Sequence, residues 1–67
     1  MKSGIRKIKD ECKLKMVDGK EVEFKGGEQI TANAVCGVRG FFEVSLSDGD
    51  VIGVARAKQI KGKSVRV

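Results

Sequence analysis

The side chains of this chain that could do chemistry are mainly cationic. One group lies near the carboxy terminus: Arg56, Lys58, Lys61, Lys63 and Arg66. A second is a run of alternating lysines: Lys7, Lys9, Lys13 and Lys15. Cations gathered on one face of a small domain attract phosphate polyanions. The pattern therefore predicts a phosphate-contacting surface; the alternative interpretation is ordinary solubilising surface charge.

The distribution of charge along the chain supports the first interpretation. The formal net charge is +5. Residues 1–15 carry six basic and two acidic groups, residues 16–55 three and seven, and residues 56–67 five and none. If the two cationic ends meet in the folded domain, they form one basic face.

Aromatic side chains are the second requirement of a surface that binds single-stranded nucleic acid, because bases stack on them. The chain has three, and Phe24 and Phe42 are in phase with the apolar core positions. Phe41 is therefore the one stacking candidate, with burial or a dimer contact as the alternatives. Binding should rest on phosphate contacts and be weakly sequence-specific. The predicted nucleic-acid-binding residues are Arg39, Phe41, Arg56, Lys58, Lys61, Lys63, Arg66, Lys13 and Lys15.

Catalysis and metal binding lack the necessary residues. The chain has no histidine, so the usual general base is missing. Cys12 and Cys36 alone cannot complete a four-ligand zinc site and are interpreted as small buried thiols, with a metal site shared across a dimer as the alternative. Asp48 and Asp50 are interpreted as turn carboxylates. We expect no enzyme activity, no catalytic residue, no metal and no cofactor.

Two glycine patterns are similar to phosphate-binding loops. "AKQIKGKS", residues 57–64, fits a relaxed A-x-x-x-x-G-K-S pattern, but too little chain follows for the helix such a loop must open. "GVRG", residues 37–40, is similar to the G-x-x-G loop of KH domains, which joins two helices. Between two strands it predicts a turn with Arg39 at its tip.

The elements that must position these residues are strands. Apolar and polar residues alternate over residues 12–16, 21–24 and 42–46, which is the period of half-buried strands. "CKLKMVDGKEVEF" and "FEVSLSDGDVIGV" repeat one hairpin pattern around an Asp-Gly turn. Only a loop with an odd number of residues, such as a type I turn closed by a glycine bulge, puts the apolar residues of both strands on one face. This arithmetic predicts that Leu14 or Met16 opposes Val22, and that Ile52 and Val54 share a face with Val44 and Leu46.

The remaining segments complete a small all-β domain. Residues 30–38 read as a strand whose inner face is Ile30, Ala32, Ala34, Cys36 and Val38. The segment "SGIRKIKDE" is compatible with a helical turn capped by Ser3, with Ile5 and Ile8 on one face, but the alternation of lysines from Lys7 to Lys15 favours a strand. An irregular link after Val54 leads to a last strand at Val65 and Val67. Residues 1–67 thus predict a single five- to six-stranded barrel, OB-like or SH3-like, built from two similar hairpins.

The carboxy-terminal part of the chain, "FEVSLSDGDVIGVARAKQIKGKSVRV", resembles bacterial translation initiation factor one and S1-like OB domains. The match is carried by Phe42, Val44, Leu46, Gly49, Val51, Ile52, Lys61, Val65, Arg66 and Val67. The resemblance implies an OB barrel that contacts ribosomal RNA through Lys58, Lys61, Lys63 and Arg66, and therefore RNA in preference to DNA. It covers residues 42–67, and two further strands of that family would have to come from the first hairpin in permuted order.

The sequence thus supports two hypotheses. The first is a small basic nucleic-acid-binding domain. The second is a protein–protein interaction module, such as a phage- or plasmid-type inhibitor or assembly component, which uses a strand edge or Phe41 and accounts better for the acidic middle segment. A homodimer is compatible with either, since so small a core gains from an apolar partner surface.

No segment approaches the roughly 20 apolar residues of a membrane span, so we expect a cytoplasmic location and no membrane partner.

Overall fold

The computed structural model describes residues 1–67 as seven strands and one short helix. The elements in chain order are β1 (Gly4–Ile8), β2 (Cys12–Lys15), β3 (Glu21–Phe24), β4 (Gln29–Ala34), β5 (Phe41–Leu46), β6 (Val51–Arg56), α1 (Ala57–Lys63) and β7 (Ser64–Arg66). The protein is mostly β, as predicted, although seven strands replace the five or six expected. The alternating lysines do not share one strand, because β1 ends at Ile8 and β2 begins at Cys12.

The strands form two antiparallel sheets. Five make one sheet in the order β6-β5-β4-β1-β7, and β2 pairs with β3 in the other. The sheets meet at a bridge between Met16 and Ala55, where the Val17 N–H donates to the Val54 carbonyl at 2.8 Å. Because the first strand pairs with the last, the two cationic ends of the chain lie side by side.

The first Asp-Gly turn has the predicted odd loop. The Met16 N–H donates to the Lys20 carbonyl at 2.7 Å, and the Gly19 N–H to the Met16 carbonyl at 3.0 Å. Gly19 has φ +93°, the left-handed conformation that closes a type I turn with a glycine bulge. Leu14 consequently pairs with Val22 as predicted, and the lysines of β2 face the glutamates of β3.

The second turn repeats this geometry, which confirms the two similar hairpins. The Leu46 N–H donates to the Asp50 carbonyl at 2.8 Å, and the Gly49 N–H to the Leu46 carbonyl at 2.9 Å. In each turn the aspartate carboxylate also accepts a hydrogen bond from the backbone N–H two residues later. The Lys20 N–H donates to Asp18 at 2.9 Å, and the Asp50 N–H donates to Asp48 at 3.0 Å. These contacts lie within five residues of chain, so similar sequences give similar turns.

Beyond the second turn the predicted inner face is correct for Ile52, which packs against the core, and wrong for Val54. Ser45 pairs with Val51, but Val44 pairs with Gly53, so Ile52 is the extra residue of a β-bulge. The bulge reverses the parity of the rest of β6. Val54 lies opposite Glu43 instead of on the predicted inner face, and Ala55 takes the buried position opposite Phe42.

The side chain of Met16 provides the physical reason for a glycine on the inner face of this strand. A Cβ atom on Gly53 would lie 3.1 Å from Met16 Cγ and 3.2 Å from Met16 Sδ. Met16 is buried and belongs to the core. The core as a whole comprises Ile8, Leu14, Met16, Phe24, Ile30, Ala32, Phe42, Val44, Ala55 and Ile60.

The inner face predicted for residues 30–38 is correct only for its first two members. Strand β4 ends at Ala34, and Ala34, Cys36 and Val38 are exposed. The chain turns away from the core through Gly37, whose φ is +78°. The interpretation of both cysteines as buried is therefore wrong for Cys36, whereas Cys12 is half-buried; both are free thiols.

The segment expected to be an irregular link is the helix α1, which buries Ile60 against the core. The Gly62-Lys63-Ser64 part of the phosphate-loop pattern lies at the end of this helix, where no amino-terminal N–H groups face a ligand. At seven residues, α1 is much shorter than the roughly 20 residues a bilayer span needs.

Candidate nucleic-acid interface

The one aromatic ring at the surface is paired with an arginine. Phe41 begins β5 and lies directly opposite Arg56, the last residue of β6. The ring is half-buried, the arginine is exposed, and Arg56 Cζ lies 5.5 Å from the ring centroid. This is within the range of a cation–π contact. The pair places a cationic group over an apolar ring at the surface of the sheet.

The β-bulge is what creates this pair. Without the extra residue Ile52, Ala55 would lie opposite Phe41, and Arg56 would point to the other face of the sheet. With the bulge, the arginine and the phenylalanine occupy the same face at adjacent strand ends. The packing of Met16 on Gly53 and the geometry of the surface site are therefore linked.

Two further cations flank the pair. Arg39 lies in the loop between β4 and β5, as predicted for the tip of that turn, and Lys58 lies in the first turn of α1; both are exposed. With Phe41 and Arg56 they line a shallow groove of about 360 Å³. The Ala57 N–H donates to the Gly40 carbonyl at 2.8 Å and so ties the loop to the start of the helix.

On the other side of the ring lies a second groove, of about 560 Å³, lined by Lys15, Asp18 and Gln59 together with the pair. Gln59 Oε1 is buried and has no hydrogen-bond partner. We call the five predicted residues gathered around this ring the Phe41 surface: Lys15, Arg39, Phe41, Arg56 and Lys58. Asp18 is the one acidic residue among those lining the two grooves.

Two of the predicted residues are engaged elsewhere. Lys63 is half-buried, and its Nζ donates to the backbone carbonyl of Lys13, which joins the end of α1 to β2. Lys13 itself faces Glu23 across the β2–β3 hairpin. Neither residue lines the grooves around Phe41, so neither is part of the Phe41 surface.

The last two predicted residues, Lys61 and Arg66, lie in a separate cleft beside β1. Two cations absent from the prediction, Lys2 and Arg6, line the same cleft. Arg6 could have been found from the strand alternation, because it is in phase with Ile8 on the inner face of β1. The strand prediction followed the lysines from Lys7 to Lys15, whose parity is opposite to that of Arg6.

Comparison of the chain with protein-family models, with curated proteins and with solved structures gave no match. The resemblance of residues 42–67 to initiation factor one therefore stays a prediction.

Proposed function

We propose that this protein is a small basic domain that binds nucleic acid through the Phe41 surface, with phosphate contacts dominating. The observation that carries the proposal is the contact between Phe41 and Arg56, flanked by exposed cations from three different elements. Nucleic-acid-binding surfaces combine such a stacking platform with a cationic groove that follows the phosphates.

Each residue of the surface has a distinct role in this proposal. Arg39, Lys58 and Lys15 contact phosphates on either side of the platform. Arg56 is held flat over Phe41, and a base stacks on the guanidinium plane, with the ring as its apolar support. No array of side chains is available to read base edges in sequence, so specificity is low. A preference for RNA over DNA, with ribosomal RNA as a candidate, is implied by the resemblance alone, and that resemblance implies an OB barrel in place of the SH3-like barrel proposed from the strand order below.

We also propose that the two sheets form a small SH3-like barrel. The chain order supports this arrangement: a first strand, a hairpin, a three-stranded meander, a short helix and a last strand that returns to the first. Met16 bridges β2 to the edge strand β6, and α1 packs between β2 and β7. Slow hydrogen exchange of the Val17 amide, which bonds across this junction, would support closure.

The experiment is a salt titration of binding to a single-stranded oligonucleotide. A triple variant, Arg39→Gln, Arg56→Gln and Lys58→Gln, is compared with a control that removes the same charge elsewhere: Lys7→Gln, Lys20→Gln and Lys25→Gln. For single strands the log–log salt slope falls by about 0.7 for each phosphate that the protein no longer neutralises, so we expect a decrease of roughly 1.4 in the triple variant, which loses the phosphate contacts of Arg39 and Lys58. The control should keep its slope and bind only modestly more weakly.

The stacking role is tested separately by Phe41→Leu, which keeps apolar bulk but removes the ring. We expect affinity to fall by about 0.5–1 kcal/mol, the usual value of an exposed cation–π contact, because Arg56 loses the ring that supports it, and the salt slope should stay unchanged. Equal decreases in the triple variant and its charge-matched control would refute the proposed site.

A second candidate function, a protein-interaction module, is favoured by a different surface. Ile5, Val65 and Val67 are 54%, 43% and 73% exposed. Ile5 and Val65 lie on the outer face of β1 and β7, and β7 is a free edge of its sheet. Exposed apolar residues beside an open edge are typical of docking surfaces, including self-association. Capture of one protein partner that survives nuclease treatment, and is abolished in Val65→Lys, would favour this function.

A further inference from the structure

We propose that the cleft where the first and last strands meet is a binding site for a phosphate-type oxyanion. The cleft has a volume of about 440 Å³ and is lined by residues 1–6, Lys61, Arg66 and Val67. Four of these side chains are cationic and none is acidic. The site shares no residue with the Phe41 surface and does not rest on the function proposed above.

The central feature is a buried arginine without a counter-charge. Arg6 is only 8% exposed. Its Nε donates to Ser64 Oγ at 2.8 Å and its Nη2 to the Ser64 carbonyl at 3.1 Å, so both partners are neutral oxygens. A guanidinium has further N–H donors beyond these, and Arg6 lines the cleft. Burying a charge is costly unless an opposite charge compensates it.

The surroundings of Arg6 increase this cost. Arg66 lies directly opposite Arg6 in the β1–β7 pairing, and like charges at opposite positions of a sheet repel. Lys2 and Lys61 add positive charge at the same cleft. Ser64 holds the guanidinium in place from below, since its hydroxyl also donates to the Ile60 carbonyl. The protein thus presents one buried cation and three exposed cations around a cleft, and a bound anion would neutralise them.

The chemistry of the donors defines the ligand class. A guanidinium forms paired, charge-assisted hydrogen bonds with the oxygens of phosphate groups, and lysines add point charges around them. The ligand is therefore a phosphate monoester, inorganic phosphate or a phosphodiester. All three ligands present anionic phosphate oxygens, and they differ in the molecule that carries the phosphate group.

The test is a titration with inorganic phosphate against chloride at matched ionic strength, followed by thermal unfolding and by the ¹⁵Nε resonance of Arg6. A ligand that binds only the folded state raises the melting temperature. We expect phosphate to raise it, to saturate, and to shift the Arg6 resonance. In Lys61→Gln/Arg66→Gln, the affinity for phosphate should fall at least about tenfold, because two charge-assisted hydrogen-bonding groups are removed.

The control is Lys20→Gln/Lys25→Gln, which removes the same charge outside the cleft and should bind phosphate as the parent protein does. Arg6→Gln is a second variant, expected to abolish the phosphate response; if it does not fold, the double variant at positions 61 and 66 still decides. Equal phosphate responses in that double variant and its control, or an Arg6 resonance that does not move, would overturn the proposal.

Two further arms identify the source of the phosphate. A nucleoside monophosphate and an oligonucleotide without terminal phosphates are titrated in the same way. An Arg6 shift with either supports the site and assigns it to phosphate monoesters or to phosphodiesters, respectively. The variant Arg39→Gln/Lys58→Gln separates this proposal from the nucleic-acid interface, because it should bind the oligonucleotide more weakly while inorganic phosphate still binds.

Discussion

Replacement of Gly53 by alanine tests the contact that links the core to the Phe41 surface. Gly53 lies inside the sheet opposite Val44, next to the bulge at Ile52, and has φ +151°. A Cβ atom there would come within 3.1 Å of Met16 Cγ and 3.2 Å of Met16 Sδ. Most real Cβ contacts are longer, so Met16 or strand β6 has to move.

Two effects contribute to the expected decrease in stability. A residue with a side chain held at this positive φ costs on the order of 1–3 kcal/mol. Adding one methyl group to a packed core costs about 1–3 kcal/mol more, because the neighbouring side chain leaves its preferred rotamer. Gly4 separates the two effects, since it has φ +155° but no atom within 4 Å of its would-be Cβ. Gly4→Ala therefore carries the backbone cost alone.

The assay is urea unfolding of both variants beside the parent protein, with the methyl resonance of Met16 as a local probe. We expect Gly53→Ala to be about 1–3 kcal/mol less stable than Gly4→Ala. For a domain of this size that corresponds to a melting temperature lower by roughly 5–20 °C. The Met16 methyl resonance should shift in Gly53→Ala and stay in place in Gly4→Ala.

Equal stabilities of the two alanine variants would refute this reasoning. The Met16 contact would then not require glycine at position 53, and the bulge would need another cause. A second informative result is the affinity of folded Gly53→Ala for a single-stranded oligonucleotide. If the strand relieves the contact by removing the bulge, Arg56 leaves Phe41 and affinity falls with it.

Three further predictions concern other parts of the fold. Ser64→Ala removes the hydroxyl that holds the buried guanidinium and should cost about 1–3 kcal/mol by urea unfolding; a cost below about 0.5 kcal/mol would contradict its role. Asp18→Ala and Asp48→Ala should each cost about 0.5–1.5 kcal/mol and cost the same within error, because their turns are equivalent; clearly unequal costs would argue against that. A thiol reagent should label Cys36 in the native protein much faster than Cys12, and equal rates would contradict their different exposure.

The parts of the fold predicted from the sequence are those set by local geometry. The Asp-Gly turns and the pairing of Leu14 with Val22 follow from parity and from the conformation of one glycine. The seven-residue helix was missed because its sequence has one apolar position, Ile60, that is buried in the core, and so shows no helical period. The end of β4 was misplaced because small residues continue the alternation of Ile30 and Ala32 after the strand has ended.

The candidate site also combines features that the sequence indicates with features that only tertiary contacts determine. Five of the nine predicted residues come together on one surface, and their binding role stays a prediction: Lys15, Arg39, Phe41, Arg56 and Lys58. Charge alone could not separate them from Lys61 and Arg66, which the β1–β7 pairing carries to another cleft. It also could not show that Lys63 is bound to a backbone carbonyl, because that bond joins residues 50 positions apart.

By itself, the sequence determined the hairpin turns, the half-buried alternation and the excess of cations at both ends, since each depends on residues a few positions apart. Only the tertiary structure decided that Arg56 faces Phe41, because the bulge that sets this register lies beside Gly53, where Met16 packs from a distant part of the chain. It likewise decided that Arg6 is buried against Ser64, 58 positions away. Such packing contacts select among local backbone conformations of similar energy. They join residues far apart in the chain, so they cannot be derived from any short stretch of sequence.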